Sequence, residues 1–343
     1  MKLSEILKPL LPNPIALIIK GSPDPDVIAS SLAVLSYYEA IGGAGKIFYS
    51  SYISHSSNKA MVNILGIGME KVDNFTNVNE TFKHYIVLDH SDPCVQGLDL
   101  AKLRLHIDHH KEHEDKSLED FNYVEMIELD AGASSTIVTR LLEKEDYFKS
   151  GGTDIERVAT ALAYGIRSDT DNLDSGNPKD WEAMRILAQY ASKGDVRKMT
   201  KSRITAQTAH VLKKAYEVEK EEQGWLYAGI GFLQETYRDS IAIVADELMR
   251  RQGIEHVLVY AIIEKESGSL VIEGSVRSLD AGTDLAGFVK AFSENSGGRK
   301  HKAGFQIPVG FLSECPNKEA LDNLVRQTIE AKFQSILSTE KGK

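Results

Sequence analysis

Only two cysteines, Cys94 and Cys315, occur in the 343 residues. They are widely separated, so no disulfide framework is expected, and a reducing, cytoplasmic setting follows. No apolar run approaches the ~20 residues that span a bilayer. The first twenty residues are apolar in patches, but Pro9, Pro12 and Pro14 interrupt them. No small-residue cleavage site follows, which argues against a signal peptide. A basic excess is also missing: 40 Lys and Arg face 50 Asp and Glu, a formal net charge of −10. General duplex-DNA binders carry the opposite balance. Duplex DNA and membranes are therefore not expected partners. An acidic chain can still hold a short phosphate ligand in a local basic pocket, and clustered carboxylates could bind divalent cations. Read alone, the charge is a contribution to solubility. Low-complexity segments and short-period repeats are absent from the sequence.

At roughly 100–200 residues per domain, this length suggests two domains. The first half alternates short apolar runs with helical patterns. Strands are expected at Ile15–Ile19, Lys46–Ile53, Tyr85–Leu88 and Arg104–Ile107. Ile28, Leu32 and Leu35 share a helical face, and Lys59–Leu65, Ala133–Glu145 and Ile155–Ile166 read as helices. Such alternation predicts an α/β fold, a mostly parallel sheet with helices on both faces. Asn177-Pro178 breaks the chain before a further helical face at Trp181, Met184 and Ala188. Thr205–Glu222 reads as a charged helix with an apolar stripe at Val211, Ala215 and Val218, suited to bridging two domains. A second alternation follows Gly224. It has strands near Trp225–Leu233, His256–Ile263, Leu270–Ser275 and Phe305–Val309, and helices near Ser240–Gln252, Asp284–Phe292 and Lys318–Leu337. The expected organisation is a larger α/β domain at 1–195, a helical linker at 196–223 and a smaller α/β domain at 224–343.

Four segments in the first half place Asp or His directly after a buried run: Asp24-Pro25-Asp26, Asp89-His90-Ser91-Asp92, Asp108-His109-His110 and, after Tyr164-Gly165-Ile166, Asp169-Thr170-Asp171. In a parallel sheet, strand ends of this kind converge on one edge, where ligands bind. Each segment alone has an ordinary reading. Asp24-Pro25 forms turns, and Asp26 could cap the helix that follows. Together they would bring several carboxylates within a few ångströms, which requires cations. Oxygen ligands with one or two imidazoles suit Mn²⁺ or Mg²⁺ better than zinc. Metals so held would activate a water and hold a phosphoryl group.

These segments resemble, in order, the four motifs of the DHH phosphoesterase superfamily. Gly274-Ser275-Val276-Arg277-Ser278 and Gly297-Gly298-Arg299-Lys300-His301-Lys302-Ala303-Gly304 look like the signature of its DHHA1 substrate-binding domain. The resemblance covers nearly the whole chain and is greatest to the nano-RNase and exopolyphosphatase-related proteins. It implies a metal-dependent hydrolase acting on phosphodiester bonds of short single-stranded oligonucleotides. Cyclic dinucleotides and nucleotide 3′-phosphates are alternative substrates, and a homodimer is an allowed assembly. It also implies that Asp24 and Asp89 hold a first Mn²⁺ or Mg²⁺, and that Asp26, Asp89, His109 and Asp169 hold a second. His110 would act on the phosphate or the leaving oxygen, with Asp108 orienting a histidine. Ser275, Arg277, Arg299, Lys300 and His301 would grip phosphates, and Gly297-Gly298 would let backbone N–H groups approach an anion.

The sequence departs from the family pattern at Lys20, where the first motif normally carries a metal-binding histidine. An ammonium has no lone pair to offer a metal. Three outcomes follow: a first metal held weakly by Asp24 and Asp89, substitution by His90, or a Lys20 that binds phosphate beside a single metal. The last would suit a chain that binds nucleotides or phosphate with impaired catalysis. Arg299 likewise replaces a histidine, with His301 two residues on. His106 reads as a core histidine or one behind the site, and Cys94 as structural. His55, His84, His210 and His256 show no ligand spacing.

Overall fold

The computed structural model describes residues 1–53, 55–110, 121–200, 205–280, 282–299 and 301–340. The chain divides into two compact units, Met1–Arg203 and Ile204–Lys343.

The first unit is built on β1 (Ile15–Ile19), β2 (Gly45–Tyr49), β3 (Met69–Lys71), β4 (His84–Leu88), β5 (Leu103–Asp108) and β6 (Val124–Ile127). They lie in the order β3-β2-β1-β4-β5-β6, and every pairing is parallel. The helices are α1 (Leu3–Leu7), α2 (Pro25–Ala40), α3 (Ser56–Leu65), α4 (Thr76–Thr81), α5 (Ser134–Lys144), α6 (Ile155–Asp169), α7 (Pro178–Leu187) and α8 (Lys193–Thr200). β1 shows why an unbroken apolar run becomes a central strand. Ile15, Leu17 and Ile19 join a core with Ile28 and Leu32 of α2, Val138 of α5 and Leu162 of α6. Ala16 and Ile18 face the opposite way, onto Phe48, Val78 and Val87. Both faces are covered, as in doubly wound sheets. Each fully buried aliphatic side chain there contributes roughly 1.5–3 kcal/mol.

The strand order reverses between β1 and β4, so the carboxyl ends of those two strands form the switch point where such sheets bind ligands. Two expectations need correction here. The helix after β1 is capped by Asp24, not Asp26: Asp24 Oδ1 accepts from Asp26 N and Val27 N, each at 3.0 Å, with Pro25 at the first helical position. The fourth acidic segment does not follow a strand, because Asp169 is the last residue of α6. The apolar run before it is helical and lies against α2 and α5.

The second unit holds a sheet of β7 (Lys220–Glu222), β8 (Trp225–Gln234), β9 (His256–Glu264), β10 (Leu270–Ser278), β11 (Ser296–Arg299) and β12 (Lys302–Pro308). Its order is β11-β12-β10-β9-β8-β7, antiparallel except for the β8–β9 pair. α10 (Ser240–Leu248) makes the parallel crossover between β8 and β9. Together with α9 (Ala206–Val218) it covers one face, where Val211 and Ala215 pack with Leu226 and Val244. α11 (Leu285–Lys290) and α12 (Lys318–Glu340) cover the other through Trp225, Phe288 and Phe333. The helix expected to run to Glu222 ends at Val218, and the last three residues of that stretch form β7. No helix among the described residues is long and apolar enough to cross a membrane.

Candidate metal centre

The switch point gathers side chains from four elements. Asp26, in the first turn of α2, is fully buried. Its Oδ2 accepts from Ser134 N at 2.6 Å and its Oδ1 from Ser135 N at 2.8 Å. The carboxylate therefore sits on the positive N-terminal end of α5, a favourable place for an anion. Ser134 and Ser135 were missed in the sequence. Two serines opening a helix were the available signal, but nothing local pointed to a partner more than a hundred residues earlier.

Asp89 follows β4 with φ of 57°, a left-handed conformation uncommon for a non-glycine residue. Its N–H donates to Ile107 O at 2.8 Å, and Ser134 Oγ donates to its Oδ1 at 3.1 Å. His109, just past β5, places Nε2 3.3 Å from Asp89 Oδ1, 3.3 Å from Asp169 Oδ2 and 4.0 Å from Asp26 Oδ2. Its Nδ1 lies 3.3 Å from the Ala131 carbonyl. Asp26, His109 and Asp169 offer ligand atoms within 4.8 Å of one another, as do Asp89, His109 and His110. Asp24 belongs to neither trio.

The electrostatics show what the cluster demands. Burial pushes the Asp24 and Asp26 carboxyls well above the usual range, and the Asp89 and Asp169 charges add to it. Burial alone would depress His109, yet its contacts to Asp169 and Asp89 and the charge of Asp26 push it up to about 11. The field that raises this imidazole is one that attracts a divalent cation. An oxygen-rich donor set with one imidazole fits Mn²⁺ or Mg²⁺.

Asp108 is fully buried at the end of β5. Its Oδ1 lies 2.8 Å from His110 Nδ1, while its Oδ2 is buried with no hydrogen-bond partner among the described residues. Burial would raise Asp108, but the His110 bond and charge together with the His109 backbone N–H and charge outweigh it, and the carboxyl stays below its ordinary value. His110 is part-exposed, and its Nδ1 is 3.9 Å from Asp89 Oδ1.

Residues 14–166 match the DHH family, N-terminal domain. The match lies within the first unit and places a DHH-family domain there. It is 30% identical over 331 residues to an uncharacterized protein of Methanocaldococcus jannaschii, spanning 96% of this chain but only 65% of that protein's length. An exopolyphosphatase-related protein from Bacteroides fragilis shares the fold, with a TM-score of 0.67 at 16% identity over 97% of this chain and 94% of that one. A pGpG-specific phosphodiesterase from Vibrio cholerae aligns over 92% of this chain and 99% of that one, at 11% identity and a TM-score of 0.34.

In this DHH-family domain Lys20 does not turn toward Asp24. Its Nζ donates to Asp92 Oδ2 at 2.6 Å and to the Asp92 carbonyl at 3.0 Å. Asp92 N in turn donates to His90 Nδ1 at 3.1 Å. That bond uses the Nδ1 lone pair, so the neutral ring carries its proton on Nε2 and offers a donor there. His90 could become a ligand only by giving up that arrangement. Burial and the Lys20 charge hold it below the usual histidine range.

Gly165 of α6 permits the close approach that brings Asp169 in. A Cβ there would stand 2.5 Å from Ser135 Oγ, 3.1 Å from Ala29 Cβ and 3.2 Å from Asp26 Cα. Gly165→Val is expected to push α6 away from α2, costing about 1–3 kcal/mol and weakening metal binding by displacing Asp169. Chemical denaturation and metal titration of the same variant check both.

In the second unit, Ser275 and Arg277 lie on β10. The Arg277 guanidinium is largely buried; it donates from Nε to Asp246, and from Nη1 to Ser275 Oγ at 2.8 Å and Val276 O at 3.0 Å. His301 Nδ1 lies 3.1 Å from Ser278 O. Gly297 and Gly298 fall in the strand β11 rather than in an open loop, paired with Gly304 and Ala303. A Cβ on Gly298 would meet Ala303 Cβ at 2.4 Å, so close strand packing accounts for this glycine. Lys300 lies outside the described residues, and only the backbone of Arg299 is described.

Proposed function

We propose that the chain is a metal-dependent phosphoesterase that hydrolyses phosphodiester bonds of short single-stranded oligonucleotides. Small nucleotides such as cyclic dinucleotides or nucleotide 3′-phosphates are alternative substrates for the same chemistry. The observation that carries the reading is the convergence of Asp26, Asp89, His109 and Asp169 on one buried point at the switch of the parallel sheet. Those four residues, with Asp24 beside them, are the proposed ligands of one or two Mn²⁺ or Mg²⁺ ions. When bound, such a cation supplies Lewis acidity toward a phosphoryl oxygen and toward the attacking water.

The protein's own groups do the rest. Ser134 and Ser135 fix the Asp26 carboxylate through backbone N–H groups, so it does not reorganise during reaction. Asp108 holds the His110 ring by Nδ1. A protonated His110 can give its Nε2 proton to the leaving oxygen, as a histidine backed by an aspartate does elsewhere. Ser275, Arg277, Gly297, Gly298, Arg299, Lys300 and His301 are the proposed substrate-binding residues of the second unit. Residues 1–195, 196–223 and 224–343 are proposed as the catalytic domain, linker and DHHA1-type domain, working in the cytoplasm.

The test incubates the purified full chain with 5′-labelled dinucleotides to pentanucleotides and Mn²⁺, with an EDTA control. Mononucleotide release that needs the metal supports the reading; none across the panel overturns it. The Lys20–Asp92 pair favours one second reading, a nucleotide- or phosphate-binding protein with weak hydrolysis. Two bound manganese ions per chain by mass spectrometry would rule that out.

A further inference from the structure

We infer that His106 is a positioning residue for the metal centre, holding the Asp89–His90 turn in the left-handed geometry that presents the Asp89 carboxylate. This rests on the metal-centre reading above. His106 is fully buried in β5, between the apolar Leu105 and Ile107. Its Nε2 lies 2.7 Å from the His90 carbonyl oxygen and its Nδ1 2.9 Å from Glu125 Oε1. A carbonyl oxygen only accepts, so Nε2 carries a proton and donates it there. Glu125 stands opposite His106 in the β5–β6 register and takes the other ring nitrogen. A ring bonded at both nitrogens cannot turn without losing both contacts. Burying an imidazole costs free energy that an apolar residue at this position would not. Here the polar ring, braced by Glu125, acts on the turn that begins with Asp89.

That turn needs outside support. Asp89 has φ of 57°, and such a conformation in a non-glycine residue persists only where its surroundings fix it. The backbone is pinned on both sides: Asp89 N–H by the Ile107 carbonyl at 2.8 Å, and the His90 carbonyl by His106. Both anchors come from adjacent residues of β5, the strand that delivers His109. One strand thus sets Asp89 and His109 at their 3.3 Å separation. Groups that orient ligands from behind in this way govern metal affinity without touching the metal.

The test is Mn²⁺ affinity by isothermal titration calorimetry on the full chain, with thermal unfolding of each variant in parallel. His106→Gln keeps an amide donor near the Nε2 position and is expected to bind within about threefold of wild type. His106→Asn is too short to reach the His90 carbonyl, and His106→Leu has no donor. Both are expected to weaken binding by about 10–100-fold while still unfolding cooperatively. Should the Leu variant fail to fold, the Asn variant decides. A merely structural histidine would change melting temperature without this ordering of affinities. A folded Asn or Leu variant that binds Mn²⁺ within twofold of wild type overturns the inference. Wild type that binds no divalent metal overturns the metal-centre reading itself, and this inference with it.

Discussion

His109→Ala is expected to abolish measurable divalent-metal binding and to cut phosphodiester hydrolysis by more than about 100-fold. The magnitude follows because removing a group that merely orients a ligand already costs 10–100-fold, and His109 belongs to both ligand trios. The loss should not be a matter of misfolding. His109 sits past the end of β5, so its removal leaves the apolar core intact. It does remove the cation that faces Asp26, Asp89 and Asp169, and leaving buried charge uncompensated costs up to about 3–5 kcal/mol. Part of that cost is avoidable, because burial and the neighbouring charges raise the Asp24 and Asp26 carboxyls and so ease proton uptake there. The metal-free variant should therefore melt below wild type at neutral pH, with a gap that closes as pH rises toward 11. Metal titration, turnover and thermal unfolding in EDTA check the three parts. Retention of Mn²⁺ affinity within tenfold of wild type would remove His109 from the ligand set.

The second large effect is on pH dependence. A metal needs the unprotonated imidazole, whereas the surrounding carboxylates hold His109 protonated up to about 11. Binding must displace that proton, so Mn²⁺ affinity should rise about tenfold per pH unit between roughly pH 6.5 and 8.5. Asp24 and Asp26, also raised, steepen the slope at its acid end. Stability of the metal-free protein runs the other way. Carboxyls raised in the folded state stabilise it below their unfolded values near pH 4, and that contribution is lost as pH rises through the folded ones. The His109 contribution is fully present below about pH 6.5 and is lost as pH rises toward 11. Alkaline conditions should thus weaken the metal-free fold and strengthen the metal-loaded one. Calorimetric titration in buffers of different ionisation enthalpy counts the released protons. A pH-independent affinity with no proton release would rule out displacement of the His109 proton.

Lys20 shows how a single position can be legible in type and not in effect. Its chemistry alone bars it from ligating a metal. Whether it would lie among the Asp24 and Asp89 carboxylates or elsewhere depended on where Asp92 stood, more than seventy residues away. In the structure Asp92 takes it, and the same residue fixes His90. Asp26 repeats the point: an acid in the first turn of a helix reads as a cap for that helix, yet its partners are the opening N–H groups of α5.

What the amino-acid sequence determined by itself was the parallel sheet, its central strands and three of the four acidic segments at strand ends. Those features are written in burial, since a strand covered on both faces must be apolar throughout and must give way to polar residues where it meets the ligand edge. Only the tertiary structure decided that Asp169 arrives from a helix end, that Asp89 turns left-handed, that Asp26 is held by Ser134 and Ser135, and that Gly298 is packed in a strand. Each of these depends on atoms brought within about 3 Å by segments distant in the chain. Hydrogen bonds and contacts at that range form or fail on shifts smaller than local sequence patterns can fix.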